Sequence, residues 1–331
     1  MNAPSASFSR ILIVATSTAL LAACSSSDGD GGSQAQTGFL KVGITDAPVD
    51  MAAAVVVKFT GVELKPKGGP AFSIDFATPK SLDLIQLQGE DRALLLDGEE
   101  ILAGEYEWMR LKVAADPNVA GDSYLQIEQS GAECEMRVPS GDQTGLKLIR
   151  GFTIGAGTTT DFTIDFDLRK SLVAPPGQTT IVDTCGNQAY LLKPVLRIVD
   201  SLQVGTITGD VDPNLISAQC PAPNQAPYPG NVYLFGPIPA GASVTPDDYD
   251  GVDDALTSAM VDPNTFRYTI GFVPAGNYRV AYTCDLDATD INAVVPPATG
   301  ETVEFTPPAG IAVTVTPNAT QEVDFVMSTT G

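Results

Sequence analysis

The chain has 331 residues, with 18 Lys and Arg against 40 Asp and Glu, no histidine, and a net charge of −22. That balance excludes nucleic-acid binding, because affinity for phosphate backbones comes from cations that neutralise the phosphates. The missing imidazole removes Ser-His-Asp and Cys-His nucleophilic catalysis, together with zinc, copper and haem sites that rely on histidine.

Arg10 precedes an apolar stretch, residues 11–21, interrupted by Thr16, Ser17 and Thr18 and followed by small residues and a cysteine. This is the layout of a secretory signal peptide. The apolar run is far shorter than the roughly 20 residues a membrane-spanning helix needs. Leu21-Ala22-Ala23-Cys24 resembles the lipobox of bacterial lipoproteins, which implies cleavage before Cys24 and a diacylglyceryl group on its sulfur. The alternative is ordinary secretion with an incidental cysteine. Two or more acyl chains anchor stably where one is marginal, so the mature chain is expected on a membrane. Ser25 stands where an aspartate would, by the rules of that family, imply retention in the inner membrane. The outer membrane is therefore favoured over the inner. Loss of the leader removes Arg10 and takes the charge from −22 to −23, a value that favours solubility and concentrates cations.

Residues 25–37 are mostly Ser, Gly, Asp and Gln with no apolar period, so they read as a flexible tether behind Cys24. From Gly38 onward, short runs rich in Val, Ile, Thr, Phe and Tyr are punctuated by Gly and Pro, the pattern of an all-β chain. Leu40, Val42 and Ile44 share one strand face. Phe162, Ile164, Phe166 and Leu168 share another, with Asp161, Thr163, Asp165 and Asp167 opposite and expected to face water. The only candidate helix is a turn or two over residues 89–96, and Gly155-Ala156-Gly157 reads as a hairpin turn. A strand over 190–199 ends near Ser201 and another begins at Gly205. The division expected is therefore a signal peptide over 1–23, lipidated cysteine and tether over 24–37, and two β-sandwich domains over 38–200 and 201–331. With Cys24 taken by lipid, Cys134, Cys185, Cys220 and Cys284 remain, an even number suited to disulfides in an oxidising compartment. The pairing that respects this division is Cys134 with Cys185 and Cys220 with Cys284; free buried thiols are the alternative.

Four segments occur in order: Gly43-Ile44-Thr45-Asp46-Ala47-Pro48-Val49-Asp50, Phe59-Thr60-Gly61-Val62-Glu63-Leu64, Ala103-Gly104-Glu105-Tyr106, and Asp165-Phe166-Asp167-Leu168-Arg169-Lys170-Ser171. Together they resemble the bacterial lipoprotein family catalogued as domain of unknown function 4382, over residues 38–200. That resemblance implies an envelope location and no established activity. Residues 272–278 and 321–327 are similar to prealbumin-like, carboxypeptidase-regulatory-type sandwiches with a carbohydrate-binding-like fold, which implies a stalk, spacer or carbohydrate-binding unit. Both halves hold an Ala-Gly-x-Tyr unit, at Tyr106 and Tyr278, where the ring can close a sandwich end with its hydroxyl on backbone.

Candidate sites for chemistry are few. Asp247, Asp248, Asp250, Asp253 and Asp254 surround Gly251 in the densest acid cluster, where calcium could take loop oxygens. Val252 and Ala259 nevertheless break the helix-loop-helix calcium pattern, and a solvated loop explains the cluster equally. Asp165 and Asp167 form a second candidate ion site. Paired carboxylates keep an acid-pair glycoside hydrolase open as a rival. Asp46 and Asp50 flank Pro48, where aspartates cap turns. Trp108 is expected outward beside Arg110 and Lys112, either as a platform for a sugar ring or packed beneath its neighbours. The reading is a noncatalytic envelope lipoprotein: a surface binding, adhesion or scaffold module held to the membrane through lipid on Cys24. A calcium-assisted carbohydrate-binding protein is the alternative. Ca2+ is the only cofactor in view, and a glycan or another envelope protein the partner.

Overall fold

The computed structural model describes residues 36–47, 52–116, 119–127, 130–138, 145–173, 185, 189–220, 229–239, 241–242, 255–284 and 303–327. Residues 35–331 form one compact unit, and the fold is all-β. The first thirteen strands are β1 (Thr37–Ala47), β2 (Ala52–Pro66), β3 (Phe72–Asp83), β4 (Ala93–Leu102), β5 (Gly104–Ala114), β6 (Tyr124–Ile127), β7 (Glu133–Arg137), β8 (Leu146–Leu148), β9 (Phe152–Ile154), β10 (Thr159–Asp167), β11 (Leu172–Val173), β12 (Tyr190–Leu192) and β13 (Leu196–Asp200). They make a four-stranded sheet in the order β13-β10-β1-β4 and a nine-stranded sheet with the path β11-β12-β7-β6-β2-β5-β8, to which β3 and β9 add.

The two sheets face each other across one apolar core, because their strands alternate as the sequence predicts. Leu40, Val42 and Ile44 of β1 and Ile164 and Phe166 of β10 are fully buried. Phe166 meets Phe59 of β2 edge to face at 6.4 Å, an arrangement worth about 1 kcal/mol beyond burial. β1 pairs with β10 in parallel and with β4 antiparallel.

The remaining strands are β14 (Val204–Asp210), β15 (Asn231–Phe235), β16 (Thr257–Met260), β17 (Arg267–Pro274), β18 (Gly276–Thr283), β19 (Thr306–Val315) and β20 (Thr320–Glu322). They form sheets β17-β14-β20 and β16-β15-β18-β19, which enclose a second core of Ile207, Val232, Leu234, Ile270, Val280 and Val313. β15 is buried on both faces: Val232 and Leu234 enter that core, while Tyr233 and Phe235 pack on the other side with Ala281 and Phe305. Cys134 is bridged to Cys185 and Cys220 to Cys284, with Cα separations of 5.1 and 5.4 Å.

Four expectations are corrected. Residues 89–96 hold no helix: a 3-10 turn at Leu84–Gln86 precedes them, and β4 begins at Ala93. Pairing with β1 overrides the local pattern there. The helices lie instead at Leu168–Ser171 and Pro213–Gln219, each opened by an aspartate, Asp167 or Asp212, whose carboxylate accepts a backbone N–H of the first turn. The strand expected over 190–199 breaks around Pro194, which has no N–H to give a ladder; β12 joins the nine-stranded sheet and β13 the four-stranded one. Residues 155–157 connect β9 and β10, which lie in different sheets, so they are a crossing between layers and not a hairpin. Residues 321–327, expected as the closing strand of the second sandwich, give only Thr320–Glu322, with Phe325 bridging Val211 beyond it. No helix among the described residues is long and apolar enough to cross a membrane.

Both Ala-Gly-x-Tyr units form the same device. The Tyr106 hydroxyl donates to the Leu102 carbonyl at 2.8 Å and that of Tyr278 to the Pro274 carbonyl at 2.9 Å, each four residues upstream. Both rings are buried, so each hydroxyl needs its acceptor. Tyr106→Phe and Tyr278→Phe are each expected to cost about 1 kcal/mol. In the double variant the losses should add to within about 0.5 kcal/mol, since the two sites share no partner. Urea denaturation of the three variants checks both statements.

Candidate functional site

Residues of the first and last of the four segments, in β1 and at the end of β10, come together where the first sandwich meets the second. Gly43 in β1 lies beneath Arg92: a Cβ there would stand 2.9 Å from Arg92 Cδ. Absence of a side chain lets the arginine stem cross the strand and reach β10. Its guanidinium then donates to both Asp161 oxygens at 2.8 and 2.9 Å, and to the Thr163 and Ser201 hydroxyls at 3.0 Å each. Ser201 also donates to Asp161 at 3.0 Å. Burial pushes the Asp161 carboxyl up, but Arg92 and Ser201 outweigh it and hold the group below its ordinary range. Two residues on, the Thr45 hydroxyl lies 2.8 Å from the Leu87 carbonyl and 2.9 Å from that of Asp91, and the Asp46 N–H donates to Leu87 at 2.9 Å. Residues 87–92 are thereby lashed to the end of β1.

The segment following β10 reaches into the second sandwich. Asp167 caps the one-turn helix by accepting the Lys170 N–H at 3.2 Å, and the Lys170 ammonium returns to its carboxylate at 3.3 Å. That ammonium also donates to the Ala255 carbonyl at 2.6 Å. Arg169, only 7% exposed, lays its guanidinium 5.7 Å from the centre of the Tyr233 ring and donates from Nε to the Ser258 hydroxyl at 3.1 Å. Behind it, Asp165 is ion-paired with Arg197 of β13. Burial, and then the neighbouring Asp165 charge, push the Asp167 carboxyl above its ordinary range despite Lys170.

The outer face of β10 is therefore not the wet surface expected. Thr163 and Asp165 are 0% and 7% exposed, because each acid meets its own cation and the second sandwich closes over that side. A cleft of about 300 Å³ remains between the sandwiches, lined by Thr45, Asp46 and Asp165 on one side and by Ser258, Asp262 and Arg267 on the other, among others. Asp262 is held below its ordinary range by backbone N–H bonds, from Thr265 first and then Asn264. Arg267 lies within ion-pair distance of Asp210 and Glu322. Among the described residues no group of three or more metal-ligating side chains comes together. The cleft can offer hydrogen bonds, but Asp165, Asp262 and Arg267 are already engaged, with Arg197, with backbone N–H groups, and with Asp210 and Glu322 respectively.

The other candidates are scattered. Trp108 stands on the outer face of β5, half-buried, with the Lys147 ammonium 4.2 Å and the Arg110 guanidinium 5.6 Å from its ring; Arg110 in turn is paired with Glu63. Asp247, Asp248, Asp250, Asp253 and Asp254, together with Asp50 and Cys24, lie outside the described residues. Sequence reasoning missed Arg92 and Arg197 altogether. Each partners an acid on β10 from a distant strand or loop, a pairing that no local spacing announces.

The model of the family described as domain of unknown function (DUF4382) matches residues 37–194. No curated protein matches the sequence. Among solved structures the chain is similar to a leucine-rich repeat protein from Bacteroides thetaiotaomicron VPI-5482, at 14% identity over 88% of this chain and 26% of that one, with a TM-score of 0.20. It is similar to the Bacillus anthracis TIE protein at 9% identity, over 88% and 34% of the two chains, with a TM-score of 0.17. A third is GBS52, the minor pilin of Streptococcus agalactiae, at 10% identity, 86% and 94% coverage and a TM-score of 0.18. The chain thus spans about a quarter and about a third of the first two. Overlaps this low bear on neither activity nor partner.

Asp161 and Asp167, on one strand, carry opposite signatures in pH. The Asp161 group is depressed in the native state, so its contribution is present above the unfolded value and fades as pH falls through the folded one. Asp161→Asn should therefore destabilise at pH 7 and converge on the wild type in acid. Asp167 is raised, so its ionisation weakens the native state as pH rises. Asp167→Asn, which keeps a capping oxygen, should gain on the wild type between about pH 4 and pH 7. Denaturant titrations across that range distinguish the two slopes.

Proposed function

We propose, from the premise that residues 37–194 are a DUF4382 domain, that this chain is a noncatalytic, membrane-anchored envelope lipoprotein serving as a surface binding, adhesion or scaffold module. The observation that carries the noncatalytic part is the commitment of the acids of β10. Asp161, Asp165 and Asp167 are held by Arg92, Arg197 and Lys170, so each acts as a fastening inside the fold. A general acid or a nucleophile must instead face a substrate. With no histidine in the chain, the side chain most often used for proton transfer is also missing.

The anchoring part rests on Leu21-Ala22-Ala23-Cys24 and on the polar residues 25–37 behind it. In this reading residues 1–23 are removed, Cys24 carries the lipid, and Ser25 directs the product to the outer membrane. The tether then lifts two domains, divided at residues 201–204, off a surface whose anionic lipids would repel so acidic a chain. The partner is a glycan or another envelope protein.

Expression with the native leader in a bacterium fed labelled palmitate tests the anchor. The wild type should enter the membrane fraction and carry the label, while Cys24→Ala should lose the label and either accumulate as precursor or appear in the soluble fraction. A Cys24→Ala product that remains mature, acylated and membrane-bound would overturn the lipoprotein reading.

A further inference from the structure

Residues 201–203 between the two sandwiches have the length of a hinge but not its freedom. The Ser201 N–H donates back to the Asp161 carbonyl at 3.0 Å, the Leu202 N–H to the Asp200 carboxylate at 2.9 Å and the Gln203 N–H to the Asp200 carbonyl at 2.9 Å. On the other side, the Gln203 carbonyl accepts the Ala275 N–H at 3.1 Å and the Val204 carbonyl the Asn318 N–H at 2.7 Å. Every residue of the connection is thus bonded to one sandwich or the other. A connection that bends must break these bonds together, whereas flexible linkers have none to break.

Two further fastenings lie off the connection. In one, the Thr206 hydroxyl donates to the Glu90 carboxylate at 2.6 Å, and the backbone of residues 89–90 rests directly on β17. There a Cβ on Gly271 would fall 1.9 Å from the Gly89 carbonyl oxygen. In the other, Arg169 and Lys170 cross to Tyr233, Ser258 and Ala255. A motion that separates the sandwiches must therefore break these fastenings as well as the bonds of the connection. Opening the joint would strip Arg169 of the Tyr233 ring and the Ser258 hydroxyl, and Lys170 of the Ala255 carbonyl, all at once.

We infer that the segment Asp167-Leu168-Arg169-Lys170-Ser171 is a docking element whose partner is the outer face of β15 and β16 in the same chain, and that it makes the strands of the two sandwiches one stiff body. Its relevance as a rigid spacer rests on the surface-module reading above; the stiffness itself does not. The stiff body carries whatever its far end meets without bending at the middle, so reach is governed by the segment before residue 37.

Single-molecule energy transfer on the full chain tests this, with fluorophores placed through unnatural amino acids at Ile149 and Val326, which are 81% and 69% exposed and lie in different sandwiches. The wild type should give one narrow population, and Arg169→Met combined with Glu90→Ala should broaden it. A broad or divided population in the wild type overturns the inference, and this holds even if the double variant fails to fold. A variant that folds and stays as narrow as the wild type overturns the docking role of Arg169. Loss of acylation at Cys24 would touch none of these outcomes, so failure of the anchor and failure of the stiff body remain distinguishable.

Discussion

The arginine that leaves one sandwich to be buried against another sets much of the architecture around it. A guanidinium is planar, always charged and weakly hydrated compared with an ammonium, which makes it the cation best suited to a mostly apolar contact. Arg169 satisfies its face on the Tyr233 ring and one edge on Ser258. To arrive there it must project from a turn of fixed direction, and that turn exists because Asp167 caps it. The cap in turn brings a carboxylate into a poorly solvated place, where Lys170 and Asp165 act on it in opposite senses. Asp165 is balanced by Arg197. Removal of Arg169 would thus leave a chain of groups whose positions are explained only by one another.

This arrangement explains how an acidic protein uses its few cations. With 18 basic residues against 40 acidic ones, the chain cannot give every acid a cation of its own. The acids on β10 each have one: Asp161, Asp165 and Asp167 take theirs respectively from the 87–92 loop, from β13 and from the helix that follows. Ion pairs on open surface are worth little, about 0–1 kcal/mol, and a chain short of cations gains more by placing them where a carboxylate is being buried. There a missing partner would cost several kcal/mol.

The sequence made the cores legible because period-two alternation is a local property. Leu40, Val42, Ile44, Ile164 and Phe166 could be assigned inward without knowing any neighbour. The tyrosine devices were legible from a short motif, and the cysteine pairing from an even count together with the division between the sandwiches. What lay hidden was non-local. Alternation says that Asp165 is on the face opposite Phe166, but not that a second sandwich will cover that face. Likewise the run Ala93 to Leu96 reads as a helical turn when taken alone, and becomes a strand because β1 offers it a ladder. Pro194 was the missed local signal, since a residue without an N–H could have marked the switch between sheets.

Glycine is where the two kinds of information meet. Gly43 sits in a strand, a position that disfavours it, and β1 alone gives no reason for it. The reason is the Arg92 stem lying across it. Gly271 likewise has its reason in the Gly89 carbonyl of the other sandwich. In both cases the residue records a close approach by a part of the chain tens of residues away. A strand glycine flanked by well-alternating neighbours is therefore a sequence-level sign that something presses on that face, even when it cannot say what. Applied to β10, the same logic runs through Gly43: a wet outer face would need no space cleared for Arg92. The covered face of this sandwich was written in the strand beside the acids, not in the acids themselves.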